Sequence, residues 1–218
     1  MKKLLVTASS KTKEKKNEIS FKKPSGTFYD SLNDSNKKTF FNARTMLLHE
    51  FGFNEGPDTH KVSTKSSSTI YLPAFQRYKG RTFSKVSGEA WSILNDHPDS
   101  LDCVILSAFY GLIRFNEPIR GYAIRQDTKM NSGKMIGKFW RDQGAQEWLF
   151  DYIQKNQFDE VKFVLSTSYS DIVGKEELMR RLSDDLGIQA EDKQFKQGGM
   201  KSMLLRGQYI NDFLLQND

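Results

Sequence analysis

The chain has 218 residues, 37% hydrophobic and 12% aromatic, which is enough apolar mass to bury a core and excludes disorder over most of its length. Lys and Arg number 33 against 27 Asp and Glu, a formal charge of +6 that favours anionic partners. The mean hydropathy is -0.63, and no stretch approaches the roughly 18 apolar residues of a membrane span, so no membrane partner is expected.

Leu4, Leu5 and Val6 open the chain as a short β-prone run ending at Ser9 and Ser10. The run is shorter than the roughly 7–15 apolar residues of a signal peptide, so the expected compartment is the cytoplasm. A lysine-dense stretch around 11–24 has little to bury and reads as an exposed loop. From Ser31 to Phe51 the apolar positions adopt helical spacing, with Gly52 as a stop. Residues 54–69 have loop composition, and 87–95 read as a helix carrying Trp91 and Leu94.

Residues 102–107, D-C-V-I-L-S, are the clearest buried strand, and 161–165, V-K-F-V-L, are a second. Between them 140–154 predict one helix, so the spacing suggests a crossover in a largely parallel sheet. Further helices are expected over 175–186, stopped by Gly187, and over 203–215. The fold class expected is α/β, a mostly parallel or mixed central sheet flanked by helices, with 1–218 forming a single domain. Cys103, the only cysteine, lies in an apolar run and reads as a buried, inert thiol.

In such sheets ligands gather where loops leave the carboxyl ends of strands, which directs attention to 9–12, 107–114 and 166–169. Serine after a strand can present a hydroxyl to a phosphate, or simply end the strand and cap a helix. In the second segment, Ser107, Tyr110, Gly111 and Arg114 combine a hydroxyl, a phenol, a turn residue and a guanidinium. Tyr110 could stack on a base and Arg114 hold a phosphate, or both could belong to the core and its ion pairs. His49, His60 and His97 show no metal-ligand spacing. Neither a phosphate-loop nor a dinucleotide fingerprint is present, so no metal or cofactor is expected.

The run 105–114, I-L-S-A-F-Y-G-L-I-R, resembles the L-S-x-L-Y-G-L-L-R signature of the YaaA peroxide-stress family. Pro118, Tyr122, Thr128-Lys129 and the 138–142 element K-F-W-R-D continue in the family's order, and Ser10-Lys11-Thr12 and Arg77-Tyr78-Lys79-Gly80 resemble elements upstream. The resemblance implies a cytoplasmic, DNA-binding stress-response protein of α/β type. Two departures stand out: Ala123 and Arg125 replace the arginine and glutamate of the family's P-Y-R-L-E-M, and the basic element at 201–208 is altered.

The expectation is therefore a nucleic-acid-binding protein, with DNA the first partner, acting on or protecting it and cleaving an N-glycosidic bond if catalytic. Asp142 would be the carboxylate, with Asp127 in reserve and Tyr110 stacking on the base. Ser10, Lys11, Arg77, Ser107, Arg114, Lys129 and Lys138 would hold phosphates. The alternatives are an enzyme of small nucleotides or nucleosides, and a noncatalytic stress-response interaction protein.

Overall fold

A computed structural model describes residues 1–15, 26–54, 56, 58 and 71–217. A five-stranded sheet forms the centre, built from β1 (Lys3–Ala8), β3 (Leu101–Ser107), β4 (Gly111–Arg114), β6 (Glu160–Val164) and β7 (Gln189–Asp192). Their order across the sheet is β4-β3-β1-β6-β7. β1 runs parallel to β3 on one side and to β6 on the other, and β6 is parallel to β7. Only β4 is antiparallel, folding back on β3. A separate two-stranded ribbon pairs β2 (Tyr71–Pro73) with β5 (Pro118–Arg120). The sheet is thus mixed and helix-flanked, an α/β architecture.

The helices obey local signals. Asn33 caps α1 (Asp34–Glu50) by accepting the Asn36 N–H at 2.9 Å, and Gly52 leaves it at φ +79. Ser87 caps α3 (Gly88–Asp96) in the same way, accepting the Ala90 N–H at 3.1 Å. A short α2 (Ala74–Arg77) comes directly after β2. The helix expected over 140–154 is two, α4 (Ile136–Gln143) and α5 (Ala145–Lys155), because Gly144 adopts φ +108 and breaks the ladder. After β6 come α6 (Thr167–Ser170), α7 (Lys175–Leu186) and α8 (Gly199–Leu215). α1 packs on α4 and α5, and α3 on α8.

The expected crossover is present, since β3 and β6 are both parallel to β1, which lies between them. One further expectation changes. Half of the expected loop 107–114 is β4, reached through Gly111 at φ +71, where a β-carbon would lie about 3.1 Å from the Trp140 ring. The Trp140 indole N–H donates to the Ala108 carbonyl at 2.9 Å. The Y-G and F-W elements of the sequence thus pack against each other. The lysine-dense stretch is described only to residue 15, with Lys11 and Lys15 exposed and Lys13 half-buried; the rest of it, most of 54–69 and His60 lie outside the described residues.

β4 is an edge strand, and Arg44 closes it. Its Nε and Nη2 donate to the carbonyls of Tyr110 and Leu112, each at 3.0 Å, while Nη1 lies 3.9 Å from Glu117. Glu117 is buried and also accepts the N–H groups of Phe28 and Arg114 at 2.7 and 2.9 Å. Burial pushes its carboxyl up, with Arg44 the chief opposing influence. Cys103 is fully buried on β3, and burial raises its thiol well above the ordinary range.

Candidate functional site

β1 and β6 are neighbours whose continuations run in opposite directions along the sheet, β1 toward β3 and β6 toward β7. Such a reversal opens a crevice outside the carboxyl ends of the two strands. Ser9 and Ser10 leave β1 there, and Leu165 and Ser166 leave β6. The Ser9 hydroxyl and the Tyr169 phenol share a hydrogen bond of 3.0 Å across the gap, and the Ser166 and Ser168 hydroxyls share one of 3.2 Å. Gln126 closes one side, its amide donating to Ser168 Oγ at 3.4 Å.

The opposite wall is the turn 79–84. The Lys79 N–H donates to the Thr12 carbonyl at 2.9 Å, and Gly80 lies directly against Ser10. α8 is drawn onto this turn at Gly207, where a β-carbon would fall 2.1 Å from the Thr82 carbonyl oxygen. The Thr82 hydroxyl donates to the Met203 carbonyl at 3.1 Å. This packing carries Met203 and Arg206 to the rim.

The resulting cleft has a volume of about 680 Å³. Its cations are Lys11, Lys79, Arg81, Arg125 and Arg206, and none of its described lining residues is a carboxylate. Arg125 pairs with Asp127 at 2.7 Å. Lys11, Lys79, Arg81 and Arg206 form no ion pair among the described residues, whereas every other arginine of the chain is held by a carboxylate or a carbonyl. Arg206 reaches Ser202 Oγ at 3.4 Å, but its Nε is buried without a hydrogen-bond partner among the described residues, and burial lowers its pKa. Tyr169 is the only aromatic residue in the described lining, and it is 7% exposed.

Beneath the floor runs a chain of hydroxyls. Tyr78 and Tyr122 meet at 2.7 Å, and Tyr122 meets Ser107 at 2.9 Å. Ser107 also accepts the N–H groups of Phe109 and Tyr110 at 3.2 and 3.0 Å. Burial raises both phenols far above their ordinary value, so they stay protonated. Lys13 packs over the Tyr122 ring at 3.9 Å and donates to the Ser10 and Lys11 carbonyls at 2.9 and 3.3 Å. Burial brings its amine down to about 8.

A family model described as peroxide stress protein YaaA matches residues 1–217, essentially the whole chain. The chain belongs to the YaaA peroxide stress family. No curated protein matches it.

In this YaaA family member the residues singled out from sequence separate into two groups. Ser10 and Lys11 line the cleft. Ser107 sits under it in the hydroxyl chain. Tyr110 is 1% exposed, with its phenol donating to Asp58 at 2.7 Å, the core placement that the sequence left open. Arg114 pairs with Asp102 at 3.1 Å, the ion-pair alternative. Arg77 is 2% exposed, and its guanidinium donates to the Glu14 and Ile119 carbonyls at 2.6 and 3.4 Å.

Lys129 and Lys138 are exposed and do not line the cleft. Asp127 neighbours the lining residue Gln126 but is engaged by Arg125. Asp142 lies on α4 outside the cleft, held by Lys134 at 3.1 Å, and that hydrogen bond keeps its carboxyl below the ordinary range. Lys79, Arg81, Gln126 and Arg206 were not anticipated as site residues, and Ser168 only as part of the 166–169 segment. The signals available were Lys79 inside the R-Y-K-G element and Arg206 beside Gly207. Arg125, one of the two positions at which the sequence departs from the motif it resembles, lines the cleft. No group of three or more His, Cys, Asp or Glu side chains that could hold a metal ion is found among the described residues. No described helix is long and apolar enough to cross a membrane.

Proposed function

We propose that this family member binds nucleic acid, DNA foremost, through phosphate received in the β1/β6 cleft, and that its part in peroxide stress is exerted on that bound strand. The observation that carries this reading is the convergence of Lys11, Lys79, Arg81 and Arg206, none of them ion-paired among the described residues, on a hydroxyl-rich cleft whose described lining has no carboxylate. Cations so placed attract phosphate oxygens, and serine and threonine hydroxyls complete such contacts. With Tyr169 largely covered, the described lining offers no stacking platform, so recognition falls on the backbone and is indifferent to base sequence.

The reading is one of binding rather than of N-glycosidic cleavage, because neither Asp142 nor Asp127 lines the cleft. The test is the salt dependence of affinity for single-stranded and duplex DNA. Each neutralised phosphate contributes a slope of about -0.7 on single strands and about -0.9 on duplex in log K against log salt. Lys79→Gln and Arg81→Gln should each flatten the slope by about one contact. A flat dependence in the parent protein overturns polymer binding and leaves a small nucleotide as the ligand. A cleft of about 680 Å³ would suit it.

A further inference from the structure

We infer that the cleft is built for a phosphate monoester at the end of a nucleic-acid strand, rather than for an internal phosphodiester. This rests on the phosphate-binding reading above and names the part of the strand that is bound. Charge points there first. An internal phosphate carries one negative charge, whereas a monoester at neutral pH carries about -1.5 to -2. Lys11, Lys79, Arg81 and Arg206, with Arg125 beside them, line one cleft of about 680 Å³. That concentration matches a single ion of high charge.

Size points the same way. At about 680 Å³ the cleft lies within the range of small-molecule sites, about 300–1,000 Å³. A strand terminus can enter with its last nucleotide alone. Arg206 adds a third reason, since its buried Nε lacks a hydrogen-bond partner among the described residues, in a chain that provides carboxylate or carbonyl partners for its other arginines outside the cleft. A guanidinium offers a planar fork of donors, and a monoester phosphate presents three terminal oxygens to meet it.

The experiment measures fluorescence anisotropy with one single-stranded sequence in four forms: 5′-phosphorylated, 3′-phosphorylated, hydroxyl at both ends, and covalently circular. A nucleoside monophosphate serves as competitor. At least one phosphorylated end should bind ten-fold or more tighter than the hydroxyl-ended and circular forms. That preference should vanish in Arg81→Gln, and in Arg206→Gln where a thermal melt shows the variant folded. Equal affinity for all four forms, still weakened by Arg81→Gln, overturns the strand-end inference while the phosphate-binding reading stands. A monophosphate that competes as well as the phosphorylated oligonucleotide also overturns it, making the free nucleotide the ligand. Absence of binding by every form, or binding that Arg81→Gln leaves untouched, overturns both readings.

Discussion

The α-carbon of Gly80 and the side chain of Ser10 touch so closely that a methyl group on Gly80 would lie 1.8 Å from the Ser10 Oγ. The contact joins the loop after β1 to the 79–84 turn and sets the width of the cleft between them. No residue with a β-carbon fits at position 80 while Ser10 keeps its place.

Gly80→Ala should therefore destabilise the fold by about 1–3 kcal/mol, the usual cost of overpacking, and weaken ligand binding by displacing Ser10. The compensating change Ser10→Gly removes the atoms in conflict. A urea-denaturation double-mutant cycle should show the pair losing less than the sum of its single changes. Strict additivity would mean that the contact does not constrain the loop.

Arg44 has two duties at once, closing the β4 edge and facing the buried Glu117. Arg44→Met should cost about 3–5 kcal/mol, as removal of one partner from a buried pair does. The opened edge should also promote self-association. Adding Glu117→Gln should recover part of the stability, without restoring the edge. Thermal melts and size-exclusion chromatography would separate the two effects.

Much of this arrangement was legible in the sequence, and the reasons are local. β1 and β3 contain continuous apolar runs, β6 is apolar but for Glu160 and Lys162, and α7 ends at Gly187 as expected. Gly144 and Gly111 were harder to read, because a left-handed backbone leaves no periodicity to detect. Ser10 and Lys11 come straight after a recognisable strand. Arg206 reaches the same cleft only because Gly207, more than a hundred residues from the 79–84 turn, lets α8 lie against Thr82. Tyr110 and Arg114 have the chemistry of a site, but Asp58, distant in sequence, and Asp102, on the neighbouring strand, claim them for the interior.

Lys13 predicts a pH dependence of stability. Its amine ordinarily titrates at 10.5 and is brought down to about 8 by burial, so between those values the unfolded chain holds a proton that the folded chain has released. Stability therefore rises with pH across that window. Lys13→Met should flatten the rise relative to the parent in chemical-denaturation curves taken across that same window. Parallel pH profiles for the two proteins would exclude Lys13 as the source.

Cys103 should be silent toward oxidants in the native state. A thiolate is the reactive form, and burial on β3 keeps this thiol protonated and out of reach. Hydrogen peroxide and thiol-specific reagents should leave it unmodified in the folded protein and modify it fully in denaturant, as read by mass spectrometry. Rapid native modification would show that β3 opens. A peroxide-stress role for this chain would then include thiol chemistry.

The central strand has a consequence for how the protein is made. β1 leaves the ribosome well before β6, yet β6 is one of its two hydrogen-bonding partners, with Thr7 meeting Val164. At about 5–20 residues per second, translation of the intervening chain takes on the order of ten seconds. Through that interval Leu4, Leu5 and Val6, wholly covered in the finished sheet, have no completed sheet to enter. Nascent β1 is thus a natural client for chaperones, and the cleft that begins at Ser9 cannot exist until synthesis has passed β6.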